Sequence, residues 1–275
     1  MSAYKKSVIF FLDILGFTEI IKEEKLSVDE ILKIIDKSKF FVDYQTWIKE
    51  KSEKNINIDK DKPLYNYLQA SDSIILSFPV TTPGGLLYAI FNILQLQIYL
   101  ITKYKILLRG ACTIGNLYHE STTIFGKAMI DAVELEKETA IFPRIIIKKE
   151  TILECSQYSI FVDSTLEEEM EEHCSYLLKD NDYFYFIDYI SFLAYKKMLK
   201  EKEQNIELPE IKGKYIEYLL ELKKLIKNGF ATAKKKAVID KYIWLLQRYE
   251  KNLLILKDLN TFDDDIIKSL EIHCP

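Results

Sequence analysis

Two acidic residues stand where predicted strands end, a placement that suits divalent-cation binding. Asp13 closes the apolar run Val8–Leu12, and Asp72 lies in the segment Ser71-Asp72-Ser73, which is followed by the largely apolar run Ile74–Phe78. A carboxylate at the end of a buried strand is costly to desolvate unless a positive group meets it. Two such carboxylates at the same end of one sheet offer the hard oxygen ligands that Mg²⁺ and Mn²⁺ prefer. The pattern therefore predicts a divalent-metal site.

Each of these acids also has a purely structural interpretation. Asp13 is suitably placed to cap a helix that begins near Thr18, since Asp is a frequent N-cap residue. Asp72 suits the turn of a hairpin, because Asp side chains form Asx-turns there. The occurrence of both acids together favours the metal site, because two neighbouring carboxylates need a cation between them.

The bulk composition limits the classes of partner. The 275 residues, 48% of them hydrophobic, suffice for one large domain or a domain with an appendage. A net charge of −4 with interspersed Lys and Glu predicts no duplex nucleic-acid face and no polybasic membrane anchor. The four cysteines have no CxxC spacing, the three histidines are too scattered for a zinc site, and no signal peptide is evident. We expect a cytoplasmic protein whose ligands are small molecules.

One apolar segment is long enough to raise the question of a membrane span. Leu86–Ile101 has about sixteen residues, including Asn92, Gln95 and Gln97, whereas roughly 20 apolar residues are needed to cross a bilayer. A helix that is apolar nearly all round is typical of a core or of a subunit interface. We therefore predict a core helix and no membrane span.

The remaining periodicities predict an α+β fold. Strands and helices alternate in the order strand, helix, two strands, helix, strand, helix, strand, which favours a mostly antiparallel sheet with helices on one face. Residues 191–275 are rich in Leu, Lys and Glu and predict a helical extension, with interruptions at Pro209 and Asn228-Gly229. The predicted segments are strands at Val8–Leu12, Leu64–Ala70, Ile74–Phe78, Ile106–Ile114 and Arg144–Lys148, helices at Leu86–Tyr104 and from Gly126 to about Ala140, and a charged loop at residues 49–63.

Two further groups of residues carry reactive or aromatic side chains. His119-Glu120 is an acid–base pair by composition, but we predict that it lies in a loop facing water. The aromatic run Tyr183–Tyr189 is more typical of a core strand than of a base-stacking platform. Neither group is therefore included in the predicted site.

Five short blocks resemble the catalytic domain of class III nucleotidyl cyclases. Residues 11–17 are similar to the metal-binding strand and turn of that family, and residues 71–73 occupy the place of its second metal-binding Asp. Residues 108–111, 124–136 and 142–146 follow in the family's order. Taken together, the blocks are most similar to the bacterial anti-phage pyrimidine cyclases (Pycsar cyclases), and the resemblance covers about residues 7–190.

The resemblance implies a fold, a reaction and a set of ligands. It implies a ferredoxin-like cyclase domain at residues 1–190 and a helical extension at 191–275, packed on the core or on a partner subunit. The implied reaction is attack of a 3′-hydroxyl on the α-phosphate of the same nucleoside triphosphate, assisted by two Mn²⁺ or Mg²⁺ ions. The implied metal ligands are Asp13, Asp72 and the backbone carbonyl of Ile14, and the amides that would bind the triphosphate are those of Leu15, Gly16, Phe17 and Thr18.

Two departures from the family pattern affect how the base of the nucleotide would be recognised. Purine cyclases read their base through a Lys or Glu four residues before the second Asp and through an Asp in a later strand. Those positions here are Leu68 and Thr123. Loss of both hydrogen-bonding side chains argues against ATP and GTP, because buried polar recognition provides most of the discrimination between such ligands. Tyr67, or Gln69, is then the expected contact to a smaller base, and UTP and CTP both stay open.

A second departure removes the side chains that stabilise the transition state. The family's Asn and Arg align with Ile130 and Glu134, neither of which can steady a pentavalent phosphorane. Arg109 and Arg144 are the candidate replacements, because guanidinium binds phosphate through two hydrogen bonds. The alternative for Arg109 is a structural ion pair with Glu134 or with a second acid on the same predicted helix, Glu136.

The resemblance also implies a homodimer with active sites between subunits. One chain would supply the Asp pair and the other the helix after Gly126, so that a monomer would be inactive. The product, cyclic UMP or cyclic CMP, would be an infection signal that acts on a separate effector protein. Three alternatives remain: an adenylate or guanylate cyclase with an atypical base pocket, a degenerate cyclase domain that binds nucleotide and regulates a partner, and a helical interaction module that rests on residues 191–275 alone.

Overall fold

The chain folds into two compact units, which are described here from a computed structural model. The structure describes residues 3–39, 44–51 and 65–272. The first unit comprises Met1–Leu96 and Leu108–Ile187, and the second comprises Gln97–Leu107 and Asp188–Pro275. The division of the chain into a cyclase domain and an extension stays a prediction.

The first unit is built on a sheet of eight strands within the described residues. The strand order is β2-β3-β1-β4-β6-β8-β7, with β5 paired to β4 outside this path. All pairs are antiparallel except β4 with β6. The predicted α+β fold with a mostly antiparallel sheet is therefore confirmed. The strands are β1 (Lys5–Ile14), β2 (Asn66–Ala70), β3 (Ser73–Pro79), β4 (Leu108–Glu120), β5 (Thr123–Phe125), β6 (Ile145–Ile147), β7 (Leu177–Lys179) and β8 (Tyr185–Ile187).

Eleven helices accompany these strands in the described part of the chain. One of them, α2, begins with a capping box, in which Ser27 and Glu30 each bond the backbone N–H of the other. The helices are α1 (Phe17–Lys22), α2 (Val28–Ser38), α3 (Tyr44–Lys51), α4 (Gly85–Tyr104), α5 (Lys127–Glu138), α6 (Lys149–Cys155), α7 (Leu166–Cys174), α8 (Phe192–Lys202), α9 (Leu208–Thr232), α10 (Lys236–Asp258) and α11 (Asp264–Leu270).

The two faces of strand β1 have different coverings. Alternate residues point to opposite sides of a strand, so one face carries Val8, Phe10, Leu12 and Ile14, all buried. On that side Tyr65 packs against Phe78 of β3 and contacts α3 and α4 through their tyrosine rings. The other face carries Ile9, Phe11 and Asp13, and α5 packs there through two small residues, Ala128 and Ala132. Helix α5 therefore lies on the face that presents the first candidate ligand.

Helix α4 is the apolar segment that raised the question of a membrane span. It is long and apolar enough by length and composition to cross a bilayer, and 67% of its apolar window is buried inside the protein. Its position differs by one residue from the predicted start at Leu86. A helix buried to this extent is typical of a globular core.

Helix α9 of the second unit runs through a position predicted to interrupt it. Pro209 lies in the first turn of α9, where proline is tolerated, and the helix then continues unbroken past Asn228 and Gly229. A Cβ at Gly229 would lie 2.1 Å from the ring of Tyr242 on α10. The glycine thus permits close packing of two helices, so the predicted break at this point is wrong.

The structure differs from the prediction at two loops and agrees with it at one hairpin. Strand β4 continues to Glu120 and forms a hairpin with β5, so the predicted loop around His119 is wrong. Residues 49–51 of the predicted charged loop belong to α3, and the rest of that loop lies outside the described residues, as does Leu64. The hairpin of β2 and β3, with Asp72 in its turn, is present as predicted.

Candidate metal and nucleotide site

Strand pairing brings the two predicted metal ligands to one corner of the sheet. Asp13 pairs with Ser73, the first residue of β3, and Asp72 lies directly before that strand. The amide of Ile14 donates a 3.0 Å hydrogen bond to the carbonyl of Asp72. The turn is tight, because Ser71 adopts a left-handed φ of 57°. The backbone therefore places Asp13 and Asp72 on adjacent segments at the same edge.

Arg109 is the cation that meets Asp13 within the first unit. Its Nε lies 3.1 Å from Oδ2 of Asp13 and 2.5 Å from Oε1 of Glu136 on α5. The side chains are largely withdrawn from solvent, with 22% of Arg109, 17% of Asp13 and 7% of Glu136 exposed. The sequence left Glu134 and Glu136 open as partners of Arg109, and the structure shows the pair with Glu136.

The close spacing of β1 and β4 beside this ion pair depends on Gly110. A Cβ at Gly110 would lie 2.5 Å from the carbonyl oxygen of Phe11 and 2.7 Å from a methyl carbon of Leu12. Any larger residue would push β4 away from β1, and Arg109 would then lose its position opposite Asp13.

The oxygen donors at this corner fit a hard divalent cation. Two carboxylates and nearby backbone carbonyls are the ligand types that Mg²⁺ and Mn²⁺ take, usually together with water and substrate phosphate. The described residues contain no cluster of three or more His, Cys, Asp or Glu side chains. Within the described residues the corner thus holds two carboxylates, and their binding of a metal ion stays a prediction.

The turn after β1 leads into the short helix α1. Gly16 is its N-cap residue, with a left-handed φ of 79° and no side-chain capping bond. Leu15, Gly16, Phe17 and Thr18 therefore lie beside the carboxylate pair, as the resemblance implies. Their binding of a triphosphate stays a prediction.

Arg144, the second candidate catalytic cation, has other partners. It is only 2% exposed, and its Nη1 donates a 2.6 Å hydrogen bond to Asp180. Its Nη2 bonds Asp182 and, at 3.2 Å, the carbonyl of Thr139. Two carboxylates already neutralise this guanidinium. The arrangement is that of a buried structural ion pair joining the segment before β6 to the hairpin of β7 and β8.

The predicted base-reading residues divide between the two faces of the sheet. Leu68 pairs with Ile75 of β3 and belongs to the apolar cluster under α5, so it shares the face of Asp13. Tyr67 points to the opposite face, where its hydroxyl lies 2.6 Å from the hydroxyl of Ser38 and 2.8 Å from Oε1 of Gln69. Thr123 is exposed in β5. The structure thus does not bring Tyr67 or Gln69 to the side of Asp13.

The positions that lack the family's transition-state side chains are open to solvent. Ile130 on α5 is 59% exposed, and Glu134 is also exposed. Helix α5 is fastened to β4 by a 2.9 Å hydrogen bond from Thr113 to the carbonyl of Ala128. Neither Ile130 nor Glu134 can therefore act on a ligand at the carboxylate pair of the same chain without leaving the solvent-facing side of α5.

One polar pair was missed by the sequence analysis. The ring Nδ1 of His119 lies 2.8 Å from the hydroxyl of Ser77. No apolar–polar alternation in residues 115–120 indicates that the strand continues, so no local signal points to this pair.

Comparisons with known proteins yield structural likenesses only. No family model and no curated protein matches the chain. A bacterial light-regulated adenylyl cyclase is similar at 13% identity and a TM-score of 0.38, covering 74% of this chain and 99% of the other. The monomeric guanylyl cyclase domain of the RhoGC fusion protein from the aquatic fungus Blastocladiella emersonii is similar at 16% identity and a TM-score of 0.37. That match covers 68% of this chain and 98% of the other.

A third similar structure is the catalytic core of a rhodopsin-guanylyl cyclase with converted specificity, in complex with ATPαS. It is 19% identical with a TM-score of 0.34, covering 55% of this chain and 81% of that one. The three neighbours are thus adenylyl and guanylyl cyclases. Likenesses at these identities and TM-scores do not assign an activity to this chain, which has to be argued from its own residues.

Proposed function

We propose that this protein is a cytoplasmic nucleotidyl cyclase that converts UTP or CTP into the 3′,5′-cyclic nucleotide and pyrophosphate. The observation that carries the proposal is the pairing of β1 with β3, which sets Asp13 beside Asp72 at the start of α1. An acidic pair next to a helix start suits a metal-bound triphosphate. The chain contains no Gly-x-x-x-x-Gly-Lys run, so a P-loop mechanism does not apply.

The reaction is an internal substitution at phosphorus. The 3′-oxygen forms a bond to the α-phosphorus, the bond from that phosphorus to the bridging oxygen of the β-phosphate breaks, and the hydroxyl proton leaves to solvent. When bound, two divalent ions lower the pKa of the hydroxyl and neutralise charge on the phosphates. Asp13, Asp72 and the carbonyl of Ile14 would hold these ions. The amides of residues 15–18 would orient the triphosphate.

We assign the transition-state cation to Arg109 and not to Arg144. Arg109 already touches Asp13, and its second partner, Glu136, can hold the guanidinium in place when a metal ion takes over the Asp13 carboxylate. Arg144 is buried between two aspartates and would have to abandon both of them to reach phosphate. Breaking such a buried pair costs about 3–5 kcal/mol.

The preference for a pyrimidine base follows from the two positions that read purines in the resembling family. Leu68 faces the same side as Asp13 and offers no hydrogen bond, while Thr123 carries only a short hydroxyl. Neither side chain can satisfy the polar edge of adenine or guanine in the family's manner. Tyr67 and Gln69 are not part of the proposed base site, because both point to the face opposite Asp13.

The proposed active form is a homodimer with sites between subunits. The resemblance supports this arrangement, in which α5 would cross to the partner. We also propose, on the resemblance alone, that the cyclic product signals phage infection to a separate effector protein. Turnover per chain should then rise with protein concentration in the range where light scattering detects dimer formation.

The test is a panel of the four ribonucleoside triphosphates with Mn²⁺ or Mg²⁺, read by mass spectrometry. We expect a cyclic product from UTP or CTP and none from ATP or GTP. Asp13→Asn and Asp72→Asn should each abolish product while the circular dichroism spectrum is unchanged. A cyclic purine product would replace the pyrimidine assignment with an adenylate or guanylate cyclase. No product from any nucleotide would contradict the activity.

A second candidate is a regulatory domain that binds nucleotide without turnover. The observation in its favour is that Asp13 is engaged by Arg109 and that Ile130 and Glu134 replace the family's catalytic pair. It predicts nucleotide binding in calorimetry, no product, and a stable complex with a different protein. The same nucleotide panel separates it from the cyclase.

A further inference from the structure

A cluster of lysines lies at the turn between α9 and α10 in the second unit. Helix α9 ends at Thr232 and α10 begins at Lys236, so three residues join them. A short connection of this kind turns one helix back along the other, and the ring of Tyr242 accordingly lies beside Gly229. Residues 222–239 contain no acidic residue. The lysine cluster consists of Lys223, Lys224, Lys227, Lys234, Lys235 and Lys236.

Most of this positive charge is not neutralised by the protein itself. Lys224 pairs with Glu221 at 2.7 Å, and Lys223 donates a hydrogen bond to the carbonyl of Ser269. The other four lysines of the cluster are exposed and make no ion pair within the part of the chain that the structure describes. The whole chain has a net charge of −4, so the cluster is a local excess of the opposite sign.

The stability of the two helices does not account for the lysine cluster. Lysine is favourable in the last turn of a helix, where the helix dipole is negative, but the last turn of α9 contains no basic residue. Lys235 is the N-cap of α10 and Lys236 its first residue, where the dipole is positive and lysine is unfavourable. Burial and the charge of Lys227, four residues away, lower the pKa of Lys223, although Glu271 acts in the opposite sense. Charges placed against folding in this way are typical of a binding surface.

The surface around the lysine cluster does not resemble a specific protein interface. Such interfaces are depleted in lysine and depend on aromatic anchors near their centre. The exposed neighbours of the lysines include two small residues, Ala231 and Ala237. The rings of Phe230 and Tyr242 pack against each other, with their centres 6.1 Å apart, and both side chains are partly buried. The ammonium groups can therefore approach a broad anionic surface without a bulky side chain between them.

Nucleic acids match the lysine cluster less well than a lipid surface does. Arginine binds nucleic-acid phosphates and bases through two hydrogen bonds, and residues 222–241 contain no arginine. Single strands stack their bases on open aromatic rings, whereas Phe230 and Tyr242 are packed together. Lysine acts as a point charge without a fixed geometry, which suits the diffuse negative charge of a bilayer. Clusters of about four to eight basic residues are typical of binding to anionic lipids.

We propose that the lysine cluster docks the protein on an anionic membrane surface by contacting the charged headgroups of its lipids. The attraction is screened over about 8 Å at physiological salt, so binding is peripheral and reversible and no segment has to enter the bilayer. The balanced composition of the whole chain predicted no polybasic anchor, because it does not show that one turn collects lysines from two helices. Binding of this kind requires neither nucleotide nor metal and is independent of the proposed function.

The first experiment measures co-sedimentation of the full chain with lipid vesicles in the absence of nucleotide and divalent ions. Vesicles of equal parts phosphatidylserine and phosphatidylcholine are compared with vesicles of phosphatidylcholine alone. We expect binding to the anionic vesicles only. This binding should be lost when the salt is raised to about 1 M, where the screening length falls to about 3 Å.

A triple variant tests whether the lysine cluster is the binding surface. Each lysine near an anionic surface strengthens binding by about fivefold, so Lys234→Gln, Lys235→Gln and Lys236→Gln together should weaken it about a hundredfold. The matched control changes three exposed lysines of the same unit, two at the end of α8 and one at the end of α10. These changes are Lys200→Gln, Lys202→Gln and Lys257→Gln, and they should leave vesicle binding within about twofold of the wild type. Circular dichroism verifies that both variants are folded.

A second measurement compares the vesicles with single-stranded and double-stranded oligonucleotides at equal phosphate concentration and equal salt. We expect the protein to bind the anionic vesicles more tightly than either oligonucleotide. Tighter binding to an oligonucleotide would overturn the membrane proposal in favour of a nucleic-acid partner. The proposal also fails if anionic vesicles do not sediment the wild type at millimolar lipid, if uncharged vesicles bind it equally well, or if the triple variant of the cluster binds like the wild type.

Discussion

Replacement of Arg109 by Gln tests whether the guanidinium links Asp13 to α5. Arg109 lies within ion-pair distance of both Asp13 and Glu136, and all three side chains are mostly withdrawn from solvent. Removing one partner of a buried ion pair typically costs about 3–5 kcal/mol, because a charge is left without compensation. We take about 3 kcal/mol for Arg109→Gln, at the low end of that range, since the Asp13 carboxylate keeps some contact with water.

The assay is urea unfolding followed by circular dichroism. With an m-value of about 3 kcal/mol/M, a loss of about 3 kcal/mol lowers the midpoint by roughly 1 M. The matched control is Lys127→Ala, which removes an exposed ion pair to Asp131 and should change stability by less than about 0.5 kcal/mol.

A double-mutant cycle tests the contact itself. If Arg109 and Glu136 interact directly, Arg109→Gln and Glu136→Gln together should cost less than the sum of the single changes by about 1–3 kcal/mol. Strict additivity, or a loss below about 1 kcal/mol for Arg109→Gln, would refute the reasoning, because a buried charge pair cannot be that weakly coupled.

Three further predictions concern packing, a buried cation and pH. Gly229→Ala should lower the free energy of unfolding by about 1–3 kcal/mol in urea, because the added Cβ would overlap the ring of Tyr242. The control is Gly213→Ala in the same helix, whose Cβ would meet nothing within 4 Å. This variant should raise the free energy of unfolding by about 0.5–1 kcal/mol. Arg144→Gln should cost about 3–5 kcal/mol in the same assay, since it leaves two aspartates without their cation; a loss below 1 kcal/mol would contradict a buried pair. Burial lowers the pKa of His119 from 6.5 in the unfolded chain to about 4 in the folded protein. Between these two values the unfolded chain binds more protons, so the free energy of unfolding falls as the pH is lowered. His119→Gln should flatten this fall between about pH 7 and pH 4, and an unchanged pH profile would count against a buried neutral imidazole.

The elements with strong local signals were predictable from the sequence. The strand ending at Asp13, the capping box of Ser27 and the apolar helix α4 all follow from short-range periodicity and capping chemistry. The adjacency of Asp13 and Asp72 was also predictable, because one turn joins Asp72 to the strand that pairs with β1.

Features that depend on tertiary contacts were not predictable. Glycine often ends helices, and Gly229 was therefore predicted to interrupt one. In the structure the ring of Tyr242 lies beside Gly229, and only the packing of α9 against α10 shows this. The partners of Arg144 lie 36 and 38 residues away in a hairpin, so no local pattern links them. The face on which Tyr67 lies depends on the pairing register of β2 with β3, and a shift of one residue would move its side chain to the other face.

The central claim is that Asp13 and Asp72 together hold divalent cations at the corner of the sheet. The most direct measurement is Mn²⁺ binding by electron paramagnetic resonance, comparing the wild-type chain with Asp13→Asn and Asp72→Asn. The control is Asp265→Asn, an exposed carboxylate in α11. We predict bound Mn²⁺ in the wild type and the control, and at least tenfold weaker binding in each site variant. Equal binding in all four proteins, or none in the wild type, would contradict the account.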